Sequence, residues 1–292
     1  MDKVLLLGAG GQLGRELVKS VPPGINLHTC SHEDLDITDP VALRGKFAAN
    51  NWDTVINAAA YTAVDKAETE PDKAFAVNAK AVSVLAELAS QARFIHISTD
   101  FVFSGPSEAP YRPEQDPNPI SVYAVSKEAG EMALQESHCR NAVIVRTSWL
   151  YSSTGRNFVT TMLKLMREKD SLGVVNDQWG SPTAASGLSE IIWLLAQTST
   201  IKGICHWSDK GVITWFDFAA EIQRQALEIG LLNRKIPLNP IPTSDYPTPA
   251  RRPVYSALDS TATERMLGRN TRAWQEQLLA TLNQIKVAES SQ

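Results

Sequence analysis

Residues 3–21 read KVLLLGAGGQLGRELVKSV, and this stretch decides the fold. The apolar run at its start has the length of a strand, three glycines follow at the spacing Gly8-x-x-Gly11-x-x-Gly14, and residues 12–21 have helical periodicity. Glycines between a strand and a helix allow a tight turn and let backbone N–H groups approach a pyrophosphate, which the helix N-terminus also attracts. The stretch therefore predicts the strand, phosphate loop and helix that begin a dinucleotide-binding domain.

The first half of the chain repeats this order of strand and helix. Strand candidates are apolar or β-branched runs, at residues 3–8, 25–30, 54–60, 94–103 and 142–151. Helical patterns lie between them, at residues 12–21, 72–91 and 123–137. Strands joined by helices pair in parallel, and a parallel sheet is covered by helices on both faces. The order predicts an α/β fold, a doubly wound parallel sheet of the Rossmann type, with residues 1–150 forming a dinucleotide-binding domain.

The second half is less regular and predicts a smaller domain of mixed structure. Helical patterns occur at residues 158–168, 184–197, 215–228 and 271–285. The proline-rich stretch PLNPIPTSDYPTPARRP, residues 237–253, predicts ordered loops because proline interrupts helices and central strands. We expect residues 151–292 to form mainly a substrate-binding domain, and a segment near residues 174–207 to return to the first domain.

Composition and charge argue against several classes of protein. Lys and Arg total 28 against 32 Asp and Glu, a formal net charge of −4, whereas a protein that binds nucleic acid through its phosphates is normally basic. No apolar run approaches the roughly 20 residues of a membrane span, so we expect neither nucleic-acid nor membrane partners. Hydrolase, zinc and P-loop chemistry lack support, because the five histidines are scattered and neither a G-x-S-x-G nor a Walker motif occurs.

The three cysteines, Cys30, Cys139 and Cys205, are an odd number without paired spacing. This usage predicts a reducing compartment and no disulfide framework. The first residues run directly into the glycine loop, without the apolar stretch and cleavage site of a signal peptide. We therefore expect a cytoplasmic protein.

The end of the second strand candidate bears on the choice of cofactor. An acidic residue there would accept a hydrogen bond from the ribose 2′-hydroxyl of NAD and repel the 2′-phosphate of NADP. The strand ends in CSH, residues 30–32, which carries no carboxylate, and so favours NADPH while leaving NADH open. Asp36 is either an adenine-side contact or part of a turn and helix cap in DITDP, residues 36–40.

Tyr123 and Lys127 stand four residues apart in a helical pattern and hence on one face. A free phenol titrates near ~10, and a neighbouring ammonium stabilises the phenolate and lowers that pKa. Such a tyrosine can exchange a proton with a carbonyl oxygen. Thr99, in STD at the end of a strand, can donate to the same oxygen. The alternative interpretation is a tyrosine and a lysine exposed on an ordinary helix, and a threonine present for its β-propensity.

Three further residues are candidates for substrate binding. Trp149 follows a strand candidate, where its indole can stack on a sugar ring or a base, although core packing is the alternative. Arg251 and Arg252 can clamp a diphosphate through paired donors, and a surface ion pair is the alternative for either one.

Longer motifs indicate a family. The glycine loop, Ser98-Thr99-Asp100 and Tyr123-x-x-x-Lys127 together resemble an extended short-chain dehydrogenase/reductase. Four stretches resemble more specifically the dTDP-4-dehydrorhamnose reductase family: NAAAYTAVDKAE at residues 57–68, RTSWLY at 146–151, NDQWGSPT at 176–183 and YPTPARRP at 246–253. The resemblance extends over almost the whole chain, from Lys3 to about Leu282.

The resemblance implies NAD(P)H-dependent reduction of the 4-keto group of dTDP-4-dehydro-L-rhamnose to dTDP-L-rhamnose, the last step in making that sugar donor for cell-surface polysaccharide. Tyr123 would protonate the oxygen, Lys127 would tune Tyr123 and bind the ribose, and Thr99 would stabilise the alkoxide. Thr99, Asp100 and Trp149 match the family's substrate contacts, to which we add Arg252. The cofactor contacts, which include the loop glycines, are expected at Gly8, Gly11, Gln12, Leu13, Gly14, Asp36, Ile37, Ala60, Tyr61, Thr62, Tyr123 and Lys127.

The resemblance leaves a metal, the oligomeric state and two other functions open. Some relatives bind magnesium at a dimer contact through glutamates; Glu16 can correspond to one of these, but residues 180–189 contain no glutamate. We therefore expect either a monomer or a homodimer. The other functions are a different nucleotide-sugar 4-keto reductase or epimerase, and a non-catalytic NADP-binding regulatory subunit. The presence of Tyr123, Lys127 and Thr99 favours an enzyme.

Overall fold

The computed structural model describes residues 2–105 and 107–290. Its strands are β1 (Lys3–Leu7), β2 (Asn26–Cys30), β3 (Thr54–Asn57), β4 (Arg93–Thr99), β5 (Ala142–Thr147), β6 (Leu150–Tyr151), β7 (Leu172–Val175), β8 (Trp179–Gly180), β9 (Thr183–Ala184), β10 (Gly203–His206), β11 (Ile213–Thr214) and β12 (Leu238–Ile241). Its α-helices are α1 (Gln12–Lys19), α2 (Pro40–Ala48), α3 (Val64–Ala67), α4 (Pro71–Phe75), α5 (Ala81–Leu88), α6 (Val122–Glu136), α7 (Phe158–Glu168), α8 (Ala185–Gln197), α9 (Trp215–Glu228), α10 (Thr261–Leu267) and α11 (Trp274–Ser290). Short π- and 3₁₀-helices cover Ala76–Lys80, Asp100–Val102 and Thr243–Asp245.

The central sheet has six strands in the order β10-β5-β4-β3-β1-β2, and every neighbouring pair is parallel. Strand order reverses between β1 and β3, so a crevice opens at the carboxyl ends of these strands, where open α/β sheets bind ligands. The predicted doubly wound sheet of the Rossmann type is confirmed.

Both faces of this sheet are buried, as its apolar strands require. Along β1, Val4 and Leu6 pack on one side with apolar residues of α1 and α8, while Leu5 and Leu7 pack on the other side with α2, α5 and α6. Alternating side chains of one strand thus enter two separate cores. The arrangement fixes β1, and with it the glycine loop that follows, between two layers of helices.

Several predicted elements end earlier or are interrupted. The strand predicted within residues 94–103 ends at Thr99, where the chain turns into a 3₁₀-helix, and the predicted strand 142–151 breaks between β5 and β6. The break contains Trp149, whose φ is 45°. Positive φ values are rare for residues with large side chains. The helix predicted over 72–91 consists of α4, a π-helical turn and α5. These irregularities lie next to the candidate site, where π-turns and backbone strain are often found.

Outside the central sheet, α7, α9 and α11 pack around one apolar core, next to the parallel pair β7 and β12. We call these elements the smaller unit. The prediction that residues 237–253 form loops throughout is wrong at β12, which includes Pro240. Proline is tolerated there because β12 is an edge strand of a sheet of two. Of the segment predicted to return, α8 and β10 lie on the central sheet, whereas Val174 lies in the core of the smaller unit. Within the described residues, no helix has the length and apolarity needed to cross a membrane.

Candidate active site

The glycine loop lies at the carboxyl end of β1, in contact with the end of β2. The N–H groups of Gly8 and Ala9 both donate to the carbonyl oxygen of Cys30, at 2.9 and 3.1 Å. A Cβ at Gly14 would lie 2.2 Å from the carbonyl oxygen of Gly8, so only glycine lets α1 approach the loop this closely. Gly11 caps α1 without a side-chain hydrogen bond, which leaves backbone N–H groups at the helix start free for an anion. The loop therefore fits a dinucleotide pyrophosphate.

Gln12 and Leu13 follow the loop, but their side chains have structural partners. The Gln12 Oε1 accepts hydrogen bonds from Ser152 Oγ at 3.0 Å and from Asn157 Nδ2 at 2.9 Å, and so ties α1 to the start of α7. Leu13 is buried in the core between α1 and the sheet. Contacts of these two residues with a cofactor would therefore be made mainly by their backbone.

Carboxylates do lie near the end of β2, although none directly follows the strand in sequence. Asp34 folds back so that its Oδ2 accepts from the N–H of Ser31 at 2.8 Å and from its hydroxyl at 2.7 Å. Asp36 accepts from the N–H and hydroxyl of Thr38, and these bonds hold the pKa of its carboxyl below the ordinary value. Ile37 is buried against Leu43 and other core residues. Asp36 is thus a turn-forming residue, and its exposed position leaves it accessible to a ligand.

The segment after β3 carries the predicted contacts Ala60, Tyr61 and Thr62, and the π-turn holds it in place. Asn78, in that turn, accepts from the N–H of Tyr61 at 2.9 Å and donates to the Tyr61 carbonyl at 3.1 Å. The Tyr61 hydroxyl donates to Glu70 Oε2 at 2.8 Å. Tyr61 is therefore held through its backbone by Asn78 and through its side chain by Glu70.

Tyr123, Thr99 and Asp100 come together at the end of β4. The Thr99 hydroxyl donates to Asp100 Oδ1 at 3.1 Å, and Tyr123 lies close enough to both residues for them to influence its pKa. Ser256, from the carboxyl-terminal segment, bonds to the other carboxyl oxygen at 2.5 Å. All four residues are buried. The sequence predicted the first three as site residues, and the structure brings them together at the end of β4.

Burial dominates the electrostatics of this group. It raises the pKa of Tyr123 to about 12, with the charge of Asp100 acting in the same direction and the bond to Thr99 opposing it. It also raises the pKa of Asp100 to about 7, against the hydrogen bonds from Ser256 and Thr99. Tyr123 is therefore protonated at neutral pH, the state that a proton donor requires.

Lys127 lies one helical turn beyond Tyr123 on α6 and is also buried. Its Nζ donates to the carbonyl oxygen of Ile97 at 2.6 Å and lies 3.4 Å from Nε2 of His96. Burial lowers the pKa of Lys127 to about 8, and the charge of Glu131 opposes that shift. The lysine thus titrates close to physiological pH, on the face of α6 that carries Tyr123.

Trp149 is held by aromatic packing. Its ring stacks on Trp215 with the centroids 3.5 Å apart and the planes 8° from parallel. Gly180 lies against the same indole, since a Cβ there would lie 2.6 Å from Cε2 of Trp149. The side chain is half-buried, so one part of the indole packs against the protein and another part remains exposed.

Arg252 lies in an ion pair that joins the two halves of the chain. Its Nη2 is 2.9 Å from Oδ2 of Asp65, and its Nη1 contacts the Thr248 hydroxyl. This guanidinium also lines a cavity of about 330 Å³, whose walls include Phe158, Met162 and Trp215. An apolar cavity with a guanidinium at its edge suits a ligand that has both a flat ring and an anionic group.

The glutamate considered as a magnesium ligand is engaged in a salt bridge. Glu16 is buried, with Oε1 2.7 Å from Nζ of Lys19. Glu190, one residue past the stretch that lacks glutamate, pairs with Arg272 at 3.0 Å. Within residues 2–105 and 107–290, no cluster of three or more His, Cys, Asp or Glu side chains forms a metal site.

Three residues next to the site were not assigned a role from the sequence: Asn57, His96 and Ser256. Asn57 is part of a motif quoted above, and His96 is a polar residue within an otherwise apolar run, which is the signal that could have indicated it. Ser256 carries no such signal, because its contact with Asp100 spans 156 residues of chain.

The Rossmann-type sheet and the grouping of Tyr123, Lys127 and Thr99 at its edge define a short-chain dehydrogenase/reductase. A family model described as the RmlD substrate binding domain matches residues 2–287. The chain is 37% identical over 293 residues to the dTDP-4-dehydrorhamnose reductase of Escherichia coli (strain K12), covering 97% of each. The chain therefore belongs to the dTDP-4-dehydrorhamnose reductase family, as the motifs indicated.

Two more similarities agree with this assignment. The chain is 38% identical over 282 residues to the spore coat polysaccharide biosynthesis protein SpsK of Bacillus subtilis (strain 168), covering 95% of this chain and 96% of that protein. Its structure matches that of dTDP-4-dehydrorhamnose reductase from Bacillus anthracis str. Ames in complex with NADP, with a TM-score of 0.91 and 35% identity. The match covers 97% of this chain and 99% of the other.

Proposed function

We propose that this protein reduces the 4-keto group of dTDP-4-dehydro-L-rhamnose with NADPH, giving dTDP-L-rhamnose. The observation that carries the proposal is the grouping of the buried side chains of Tyr123 and Thr99 at the carboxyl edge of the sheet, with Lys127 one helical turn away. Its specificity for a deoxythymidine sugar rests on the family and on the names of the relatives with which the chain aligns over nearly its full length.

Tyr123 acts as the proton donor. A bound reduced nicotinamide would supply a hydride to the fourth carbon of the sugar, and the oxygen on that carbon would then need a proton. A phenol with a pKa of about 12 keeps its proton at neutral pH until an oxygen more basic than itself lies beside it. Thr99 binds the same oxygen through its hydroxyl, and Lys127 holds the nicotinamide ribose and stabilises the phenolate left on Tyr123.

The first half of the chain binds the dinucleotide. Gly8, Gly11 and Gly14 let the loop pack closely against its neighbouring backbone, and the N–H groups at the start of α1 receive the pyrophosphate. The Bacillus anthracis relative has NADP bound, which supports NADPH as the preferred cofactor. NADH is the second candidate.

The sugar nucleotide lies between the halves of the chain. The cavity beside Phe158 and Trp215 receives the thymine, Arg252 faces the diphosphate, and Trp149 and Asp100 contact the sugar. In this assignment residues 1–150 bind the dinucleotide, and residues 151–292 bind mainly the substrate. The three free, buried cysteines suit a reducing compartment, and we place the protein in the cytoplasm.

A coupled assay tests the proposal and separates it from the alternatives. The protein is mixed with dTDP-4-dehydro-L-rhamnose and either NADPH or NADH, and the absorbance of the reduced nicotinamide is followed. We expect one cofactor oxidised for each dTDP-L-rhamnose formed, and faster turnover with NADPH. An epimerase would consume no net cofactor, and a regulatory subunit would bind NADPH without turnover. Either result, or turnover only with a different 4-keto sugar, would overturn the proposal.

A further inference from the structure

The short helix α3 lies in the motif at residues 57–68 and contributes no residue to the proposed reaction. It carries Asp65 and, at its carboxyl end, Glu68, and each of these carboxylates bonds to a segment distant in sequence. Glu68 bonds to the start of α6, whereas Asp65 bonds to the carboxyl-terminal segment that contains Arg252. One short element is thus attached both to the helix of the proton donor and to the segment expected at the diphosphate.

Glu68 holds the first turn of α6. Val122 is the first residue of this helix, so its backbone N–H has no partner within the helix, and it donates to Oε1 of Glu68 at 2.9 Å. A carboxylate is favoured at this end of a helix because the helix dipole is positive there. Tyr123 is the next residue, and the bond therefore fixes the backbone immediately before the proton donor.

The apolar side of α3 packs against the same tyrosine. Val64 and Ala67 of α3 belong to one apolar cluster with Val122 and Tyr123. Both Ala67 and Tyr123 are buried in this cluster. The position of the phenol therefore depends on where α3 lies, through side-chain packing as well as through the bond to Val122.

Asp65 orients Arg252. Its Oδ1 accepts from the backbone N–H of Ala250 at 3.3 Å, and its Oδ2 accepts from Nη2 of Arg252 at 2.9 Å. The Nη1 of Arg252 donates to the Thr248 hydroxyl and to the Ala250 carbonyl oxygen. A guanidinium has five N–H donors, and its bonds to the described residues use three of them. Asp65 thus fixes the arginine and leaves two donors for a ligand.

We propose that α3 sets the distance between the proton donor and the arginine for the diphosphate, with Glu68 a positioning residue for Tyr123 and Asp65 a positioning residue for Arg252. The inference rests on the proposed function, because it takes Arg252 as a ligand of the diphosphate. In the substrate, the diphosphate and the 4-keto oxygen lie at opposite ends of one sugar ring. A fixed spacing between their binding groups brings that oxygen to the phenol once the diphosphate is bound.

Glu68→Ala tests the link to the proton donor. We expect kcat with the dTDP sugar to fall by about tenfold or more, because a small misplacement of a reacting group is costly. The Kd for NADPH and the Kd for dTDP should stay at their wild-type values. Glu68→Gln keeps an oxygen that can accept from the N–H of Val122 and should retain most of the wild-type kcat. Glu87→Ala, at an exposed glutamate 3.9 Å from Arg44, is the control and should leave kcat unchanged.

Val122→Pro removes the same hydrogen bond from the donor side. Proline is favoured at the first position of a helix, where its missing N–H costs no bond within the helix. The preceding residue, Ser121, has φ −138° and ψ 156°, an extended conformation that a following proline accepts. We expect kcat to fall as in Glu68→Ala, so the inference can be tested even if one of the two variants does not fold.

The environment of Tyr123 provides a measurement that needs no turnover. The full chain is labelled with 3-fluorotyrosine, and the Tyr123 signal is identified by its absence in Tyr123→Phe. We expect this ¹⁹F signal to shift in Glu68→Ala and Val122→Pro and to keep its wild-type position in Glu68→Gln. The signal of Tyr151, which is buried against Phe218 in a different core, should stay in place, whereas a general loss of structure would move it too.

Asp65→Ala tests the link to the arginine. We expect the KM for the dTDP sugar and the Kd for dTDP to rise by about tenfold, while kcat at saturation changes little, because this change removes an interaction with the bound ground state. Asp170→Ala is the control. It removes an ion pair with Arg234 at 2.8 Å, and neither residue lines the cavity beside Arg252. Its KM and Kd should equal those of the wild type.

The two carboxylates should thus affect different kinetic constants, which a merely structural role would not produce. An unchanged kcat and an unmoved Tyr123 signal in the folded Glu68→Ala or Val122→Pro protein would overturn the inference, as would an unchanged Kd for dTDP in Asp65→Ala. If the Tyr123 signal moves and the Kd for dTDP rises as expected, but the wild type does not reduce the dTDP sugar, the inference stands and the proposed function fails.

Discussion

The hydroxyl of Ser256 lies 2.5 Å from Oδ2 of Asp100, so the carboxyl-terminal segment contacts the carboxyl group beside Thr99. The other oxygen of Asp100 lies 3.1 Å from Thr99 Oγ1. An ionised Asp100 can only accept hydrogen bonds, and the Thr99 hydroxyl then donates its hydrogen bond to this carboxylate. A protonated Asp100 can donate to Thr99 instead and leave the Thr99 hydroxyl free to donate to a sugar oxygen.

Ser256→Ala should therefore shift the pH dependence of turnover. The pKa of Asp100 is about 7, and the bond from Ser256 holds it below the value that burial alone would produce. We expect kcat to fall as pH rises through about 7 in the wild type, and the inflection to move upward in Ser256→Ala. Ser189→Ala, at a buried serine of α8 that donates to the carbonyl of Ser186, should leave the profile unchanged. Identical inflections in all three proteins would contradict this role for Asp100.

Replacing the proton donor should remove turnover and leave cofactor binding. Tyr123→Phe keeps the ring, which packs edge-on against Phe101 with centroids 6.1 Å apart, and deletes only the hydroxyl. We expect kcat to fall by about 10²–10⁴-fold, the usual contribution of a positioned general acid. The Kd for NADPH, measured by fluorescence, should stay within about twofold, since a single hydroxyl is removed without loss of ring packing.

Tyr151→Phe is the matched control for this substitution. Tyr151 is also buried but lies in the core of the smaller unit, against Phe218. Its kcat should equal that of the wild type. A Tyr123→Phe enzyme with full turnover would show that another group supplies the proton.

Gly14→Ala should weaken the cofactor site through the backbone alone. The added methyl would lie 2.2 Å from the carbonyl oxygen of Gly8, so α1 and the loop must separate. We expect a loss of about 1–3 kcal/mol in the free energy of unfolding, as for other overpacked sites, and a Kd for NADPH raised more than tenfold. Gly45→Ala is the control, because that glycine lies within α2 with open space around it. It should gain about 0.5–1 kcal/mol and bind NADPH normally; equal effects of both changes would contradict the close approach at Gly14.

The central sheet and the Tyr123–Lys127 pair were predictable because their signals are local. β1 is buried on both faces and is a continuous apolar run, and four residues of helix place Tyr123 and Lys127 on one face. The glycine spacing likewise reflects one strand, one turn and one helix in order. Each of these patterns is contained within about 20 residues of sequence, where periodicity and turn chemistry decide the structure.

The remaining features depend on which distant segments meet. The contact of His96 with Lys127 follows from how α6 packs on β4, and that of Ser256 with Asp100 from the path of the last 40 residues over the sheet edge. Pro240 indicated a loop because proline cannot donate a hydrogen bond within a sheet, but it lies in an edge strand, where that donor is not needed. Nothing in the sequence indicated that Asp34 lies at the strand end, because its position there depends on its side chain folding back to bond with Ser31. Sequence spacing contains no direct record of these tertiary contacts.

Asp209 makes the stability of the protein depend on pH. It is buried, its Oδ2 accepts from the N–H of Ala184 at 2.9 Å, and burial raises its pKa to about 7 from 3.8. Between pH 4 and 7 the folded state therefore binds more protons than the unfolded state at this residue, and the stability of the wild type falls as pH rises through that range. Asn cannot ionise, so Asp209→Asn should become more stable than the wild type by a margin that grows up to pH 7 and is then constant.

Urea denaturation at several pH values measures this margin. The rise of the Asp209 pKa from 3.8 to about 7 sets the upper limit of the margin at about 4 kcal/mol, reached above pH 7. Asp170→Asn is the control, because the Asp170 side chain is 95% exposed. Its margin should not vary with pH over the same range. A margin for Asp209→Asn that is equally independent of pH would mean that the buried carboxyl keeps its charge in the folded protein, compensated by Gln277 and Arg272, which face it.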